Sequence, residues 1–232
     1  MTHEKIEKVE KNFKSNLKEL KKGLENYFPQ IESLANSFGY PSVYFHHRAL
    51  REMEKNFLEF PHIEAIYALL PAWGMQSKTK IAAFEKFKGQ IEEQKSKLVE
   101  LRSKKLSEVS IDELSELLVS SRFSEAASRL VSSSKVLHHI IPNLICPIDR
   151  QYSIRFLLQD KNDFHKSAYV YINEDERDYA KIYLSGMRDF IEDNKVVLEK
   201  HIDGSSNTSL TKIFDNLVMV FVRSVKSKKA EL

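Results

Sequence analysis

An amine and a carboxylate bracket one tight corner of this chain. Lys135 and Asp149 stand on either side of two prolines within the segment SSSKVLHHIIPNLICPIDRQYSIRF, residues 132–156. The same segment holds paired histidines, the only cysteine, and arginines at 150 and 155. Two kinds of chemistry fit these residue types. A carboxylate opening a helix is a cap: it accepts backbone N–H groups and meets the positive end of the helix dipole. Facing a cleft instead, with Lys135 brought to it across the corner, it becomes a reactive group. Lys135 and Asp149 are therefore the candidate catalytic pair. The candidate binding surface is Lys135, His138, Asp149, Arg150, Tyr152 and Arg155, with Trp73 as an aromatic able to stack on an unpaired base.

The remaining reactive types are less suggestive. His46-His47 and His138-His139 are adjacent pairs. Helical neighbours point about 100° apart, so one such pair does not grip one ion. The i,i+4 spacing that would do so is missing, and a metal would require His47 and His138 to meet in the fold. No metal and no cofactor is expected; one histidine of each pair should be partly buried and the other wet. Cys146, between Ile145 and Pro147, reads as a buried inert thiol, since a nucleophile needs a positioned base. Glycine-rich phosphate loops, Cys-x-x-Cys pairs, His-Glu-x-x-His and Gly-x-Ser-x-Gly are all absent.

The elements that must position these groups are helices. Apolar residues at Ile6, Val9, Phe13, Leu17, Leu20, Leu24 and Phe28 recur every three or four positions, giving a helix over about 2–27 that Pro29 stops. Its stripe packs on the protein's own core or serves as a homodimer seam. Helices follow over about 30–38, ended by Gly39, and 41–58, opened by Pro41. Pro61 opens another that Pro71 kinks or ends, before a Trp73-Gly74 turn with a buried aromatic. The pattern continues over 77–104, with polar Gln94 and Lys95 interrupting the apolar face. Ser110 and Glu113 form a capping-box signature. Helices over 124–141 and 149–158 flank the opening corner. SAYVYI alternates like one short strand, Asn173 caps a long helix, and the last helix, SLTKIFDNLVMVFVRSVK, is apolar on several faces and should be central. The fold class is all-α, about nine or ten helices, as one domain over 1–232 or as a layer over 1–106 on a bundle over 107–232.

Composition agrees. Hydrophobic residues make up 42% of the 232, enough for a sizeable core, while 6 Gly and 6 Pro are too few for an all-β fold. A single cysteine fits a reducing cytoplasm, the charged N-terminus is not a signal peptide, and no apolar run spans a membrane. A net charge of +3 permits a nucleic-acid partner without demanding one. Basic runs lie at Lys78, Lys80, Lys86 and Lys88, at Arg102, Lys104 and Lys105, and at Arg223, Lys226, Lys228 and Lys229. Only the last lacks interleaved acids before Glu231.

The segment SKVLHHIIPNLICPIDRQY, with AWGM at 72–75, resembles a Ser-Lys-x-Leu-His, Pro, Pro-Ile-Asp-Arg-x-Tyr pattern of prokaryotic all-helical proteins that carry no assigned activity. Asp149 after Pro147-Ile148, followed by Arg155, is also similar to the helix-capping aspartate and following arginine of helix-hairpin-helix DNA glycosylases. That likeness implies a catalytic Asp149 and a DNA-gripping hairpin upstream, yet RLVSSSKVL contains no glycine with which to build one. Three functions remain open: a cytoplasmic helical binding module for nucleic acid, a nucleic-acid-processing enzyme, and a homo-oligomerising structural protein.

Overall fold

A computed structural model describes residues 2–38, 40–75, 81–125, 129–165 and 176–230. Among these the chain is all-α, with eleven α-helices and two 3₁₀ turns; the one β contact is an isolated bridge between Ile81 and Ser124. SAYVYI, Asn173 and Gly39 lie outside the described residues. The chain forms two compact units: Met1–Ser37 with Pro147–Leu232, and Phe38–Cys146, the second containing Ser107. No helix among the described residues is long and apolar enough to cross a membrane.

The first unit holds α1 (His3–Lys22), α2 (Leu24–Asn36), α9 (Ser153–Leu158), α10 (Glu176–Glu199) and α11 (Leu210–Ala230). The α1 stripe is used internally: Val9, Phe13, Asn16 and Leu20 are buried, and α1 packs on α9 and α10. Phe13 stacks on Tyr183 at 5.5 Å and meets the edge of Phe156 at 5.7 Å. As its all-round apolarity suggests, α11 is central, with Ile213, Phe214, Leu217, Val218 and Phe221 buried. The first helix does not run to Tyr27. It breaks at Gly23, where the Tyr27 ring fills the space a Cβ would need. Pro29 consequently falls inside α2 rather than stopping a helix, and costs that helix one N–H donor.

The second unit holds α3 (Tyr40–Lys55), α4 (Phe60–Ala72), α5 (Phe84–Glu93), α6 (Lys95–Arg102), α7 (Ile111–Ser120) and α8 (Leu130–His138). The expected single helix over 77–104 is two, which accounts for the eleventh helix. Gln94 breaks it, donating to Gln90 O and accepting from the Ser121 hydroxyl at 3.1 Å. Ser110 opens α7 as the capping box indicates, but with no side-chain cap bond. At the end of α4, Gly74 N–H donates to Pro71 O and Met75 N–H to Leu70 O. Gly74 has φ +79°, so this is a Schellman close that turns the chain just after Trp73. Pro71 sits within the last turn it was expected to end. Trp73 itself is half-buried rather than fully covered.

Two glycines separate packing from conformational effects. A Cβ at Gly186 in α10 would collide with Phe13 and reach Leu17 Cδ1 at 3.1 Å, and Phe13 is 1% exposed with no room to yield. A Cβ at Gly89 in α5 meets nothing within 4 Å. In urea unfolding, Gly186→Ala is expected to lose about 1–3 kcal/mol. Gly89→Ala is expected to gain about 0.5–1 kcal/mol.

Candidate functional site

The sequence candidates divide between the two units. Lys135, His138 and Trp73 belong to the second; Asp149, Arg150, Tyr152 and Arg155 belong to the first.

In the second unit, α8 is buried on nearly every face, Lys135 and Val131 excepted. This corrects the expectation of one wet histidine per pair: His138 and His139 are both fully buried. Neighbouring positions point in different directions, but a central helix has core on both. The other pair also departs from it, though less: His46 is buried and His47 is half-buried rather than wet. The spacing Ser42, His46, Ala49 already placed His46 on the inward face of α3, a signal the sequence reading missed.

The partner of the second histidine pair is thus His46, not His47. His46 Nδ1 lies 2.8 Å from His139 Nε2, and the His46 and His138 rings stack with centroids 6.1 Å apart. One ring nitrogen from each of His46, His138 and His139 falls within 4.8 Å of the other two. These are the groups in the described residues able to hold a metal. Trp73 stacks on His46 at 5.5 Å and meets His139 edge-on at 4.9 Å.

Backbone acceptors fix the protons. His138 Nδ1 is 2.8 Å from Ile145 O and His139 Nδ1 is 2.7 Å from Lys135 O. A carbonyl only accepts, so both Nδ1 atoms donate and, in the neutral ring that burial favours, both Nε2 atoms carry the lone pair. His46 Nδ1 must then donate to His139. A fourth histidine, His62, was not singled out in the sequence: its Nε2 donates to His139 O at 2.9 Å, and its Nδ1 accepts from Leu58 N–H at 3.1 Å. That second bond supports Leu58 at φ +57°, a conformation L residues seldom take. Lys135 has a structural role as well. Its ammonium donates to Trp73 O at 2.8 Å, closing the carbonyl end of α4, where a cation also favourably meets the dipole.

In the first unit, Asp149 is a cap. Its Oδ1 accepts from Gln151 N–H and Tyr152 N–H, each at 2.7 Å, while its own N–H donates to Ser153 Oγ. The turn it caps feeds α9, which begins at Ser153, later than expected. Arg155 is the largest fully buried side chain among the described residues; its Nε donates to Gln151 O at 2.9 Å and its Nη1 to Phe164 O. Burial lowers its pKa, against the attraction of Asp149 and Tyr152. Arg223 on α11 donates to Tyr152 Oη at 3.0 Å and to Ser37 Oγ at 3.0 Å. It lies 5.5 Å over the Tyr152 ring. A groove of about 540 Å³ beside it is lined by Asn26, Tyr27, Gln30, Arg223, Ser224 and Ser227.

No protein family, curated protein or solved structure matches the chain.

Two solution measurements probe these networks. Burial, chiefly, holds the His62 pKa at about 4, below its ordinary 6.5. The unfolded chain therefore binds the proton first as pH falls. The stability that His62 contributes is complete above pH 6.5 and is lost progressively from there toward pH 4, by roughly 3 kcal/mol. The loss should shrink in His62→Gln when urea midpoints are compared across that range. Separately, Asp149→Ala is expected to destabilise by about 0.5–2 kcal/mol, as lost caps do.

Proposed function

We propose that the protein is a cytoplasmic helical binding module for a phosphate-bearing polymer, nucleic acid first, and that its contact surface is the cation cluster of the first unit. The observation that carries this reading is the pair of cations on one face of α11: Arg223, held over Tyr152, and Lys226, which lies near enough to the buried Arg155 to feel its charge. Burial, and after it the charge of Arg155, lowers the pKa of Lys226. Like charges held together raise the energy of the unliganded protein, and an anion placed among them returns that energy on binding. The adjoining groove supports the reading: it offers a guanidinium, two amides and two serine hydroxyls, and among the described residues no carboxylate lines it. Phosphate oxygens accept from such donors without regard to base sequence.

The other basic runs are less suited. Lys86 pairs with Glu125, Lys88 with Glu92 and Lys104 with Glu100. Arg102 lies 4.1 Å over the Phe57 ring. Lys78 and Lys80 lie outside the described residues. The buried thiol of Cys146 accords with a reducing cytoplasm.

Fluorescence anisotropy with labelled single- and double-stranded DNA and RNA across a salt series tests the proposal. Binding should weaken steeply as salt rises. Lys226→Gln and Arg223→Gln should each weaken it for every sequence and reduce the salt slope by about one. No binding at low salt, or binding indifferent to both substitutions, would refute the reading.

A further inference from the structure

We propose that His46, His138 and His139 bind one zinc-class transition-metal ion, in a three-imidazole site built where α3 meets the end of α8. The inference is independent of any polymer bound by the first unit.

The ring protons are already arranged as a metal site requires. A ligating histidine binds through one nitrogen while the other donates to a carbonyl or carboxylate, which fixes both tautomer and ring angle. His138 and His139 each donate Nδ1–H to a backbone carbonyl, Ile145 O and Lys135 O, so each presents Nε2 as the donor atom. His139 is held further by His62, which donates to its carbonyl oxygen. His46 joins by passing its Nδ1 proton to Nε2. Its Nδ1 lone pair then replaces the hydrogen bond to His139 with a bond to the ion, and no net proton is released.

The distances lie close to those a bound ion sets. Tetrahedral zinc, with Zn–N bonds of 2.0–2.1 Å, has N–N edges of about 3.3 Å. The His46–His139 pair at 2.8 Å must open by about half an ångström. The other donor atoms, within 4.8 Å, must close by up to about 1.5 Å. The ion class follows from the donors. All three are neutral imidazoles, which suit zinc, copper, nickel and iron, whereas magnesium and calcium require oxygen ligands. Three histidines leave a fourth tetrahedral position for water or hydroxide, and hydroxide would offset part of the charge beside Lys135. Trp73, half-buried, stacked on His46 and edge-on to His139, covers the cluster with a ring that itself reaches solvent.

That ring also makes the test specific, because Trp73 is the only tryptophan. Protein stripped with chelator is titrated with Co²⁺, then with Zn²⁺. The expected result is one equivalent of Co²⁺, visible absorption of a four-coordinate ion, quenching of Trp73 emission, and reversal of both by Zn²⁺. Mg²⁺ should do nothing. His47→Gln should bind as the unaltered protein does. His46→Gln, its fold checked by circular dichroism, should lose more affinity than the roughly 10–100-fold typical of outer-shell changes. Uptake below one equivalent without quenching in the unaltered protein overturns the site whatever the variants do. Retained binding in folded His46→Gln, or loss in His47→Gln, overturns it too and assigns the ion to exposed histidines.

Discussion

A neutral imidazole has one proton and one lone pair, and burial forces both to find a use. In the second unit that requirement links three histidines to the backbone in a single order. Leu58 N–H donates to His62, His62 donates to the carbonyl of His139, His139 donates to the carbonyl of Lys135, and His46 donates to His139. Reversing any one tautomer would set donor against donor or acceptor against acceptor elsewhere in the chain. The connection between α3 and α4, the close of α4 and the end of α8 are thus tied by proton placement as much as by apolar contact. Lys135 extends the same logic, its ammonium meeting the carbonyl end of α4 as its own carbonyl accepts from His139.

The first unit solves a related problem at α9. A six-residue helix leaves most of its carbonyls without internal partners. Asn12 donates to Leu158 O, and Asn16 donates to Phe156 O and Gln159 O. These asparagines lie one turn apart on α1, so the helix that supplies Phe13 to the core also caps its neighbour. Arg155 closes the other side through Gln151 O and Phe164 O. Buried cation and amides therefore do for α9 what apolar packing does for the longer α10 and α11.

Fold class was legible because apolar spacing of three and four survives in every long helix, from Val9–Phe13–Leu20 to Ile213–Leu217–Phe221. Boundaries were legible where local backbone chemistry rules, as at Pro41, Pro61, Gly74 and Ser110. They were misjudged where a distant side chain decides. Gly23 breaks a helix because Tyr27 lies over it, and Gln94 breaks another while accepting from Ser121. The candidate site was half legible. Asp149 as a cap follows from its place before a helix, but the meeting of His46 with His138 and His139 joins distant parts of the sequence, and pair adjacency alone pointed to His47. His62 carried no signal beyond its type: only the positive φ of Leu58 explains why an acceptor is needed there.

The polarity of α8 remains to be explained physically. Ser132, Ser133 and Ser134 are buried without penalty, since each hydroxyl reaches a carbonyl: Arg129 O, Ser121 O and Val131 O. Their small size also lets α7 and α8 approach closely. The imidazoles are a different matter. Leucine or phenylalanine at 138 and 139 would fill a core and impose no proton order, and buried polar networks seldom add stability over well-packed apolar side chains. Three imidazoles gathered within 4.8 Å are thus a poor choice for packing alone. What they supply that packing cannot is direction: a fixed order of donors and acceptors, with ring nitrogens at a spacing that the proposed transition-metal ion would use.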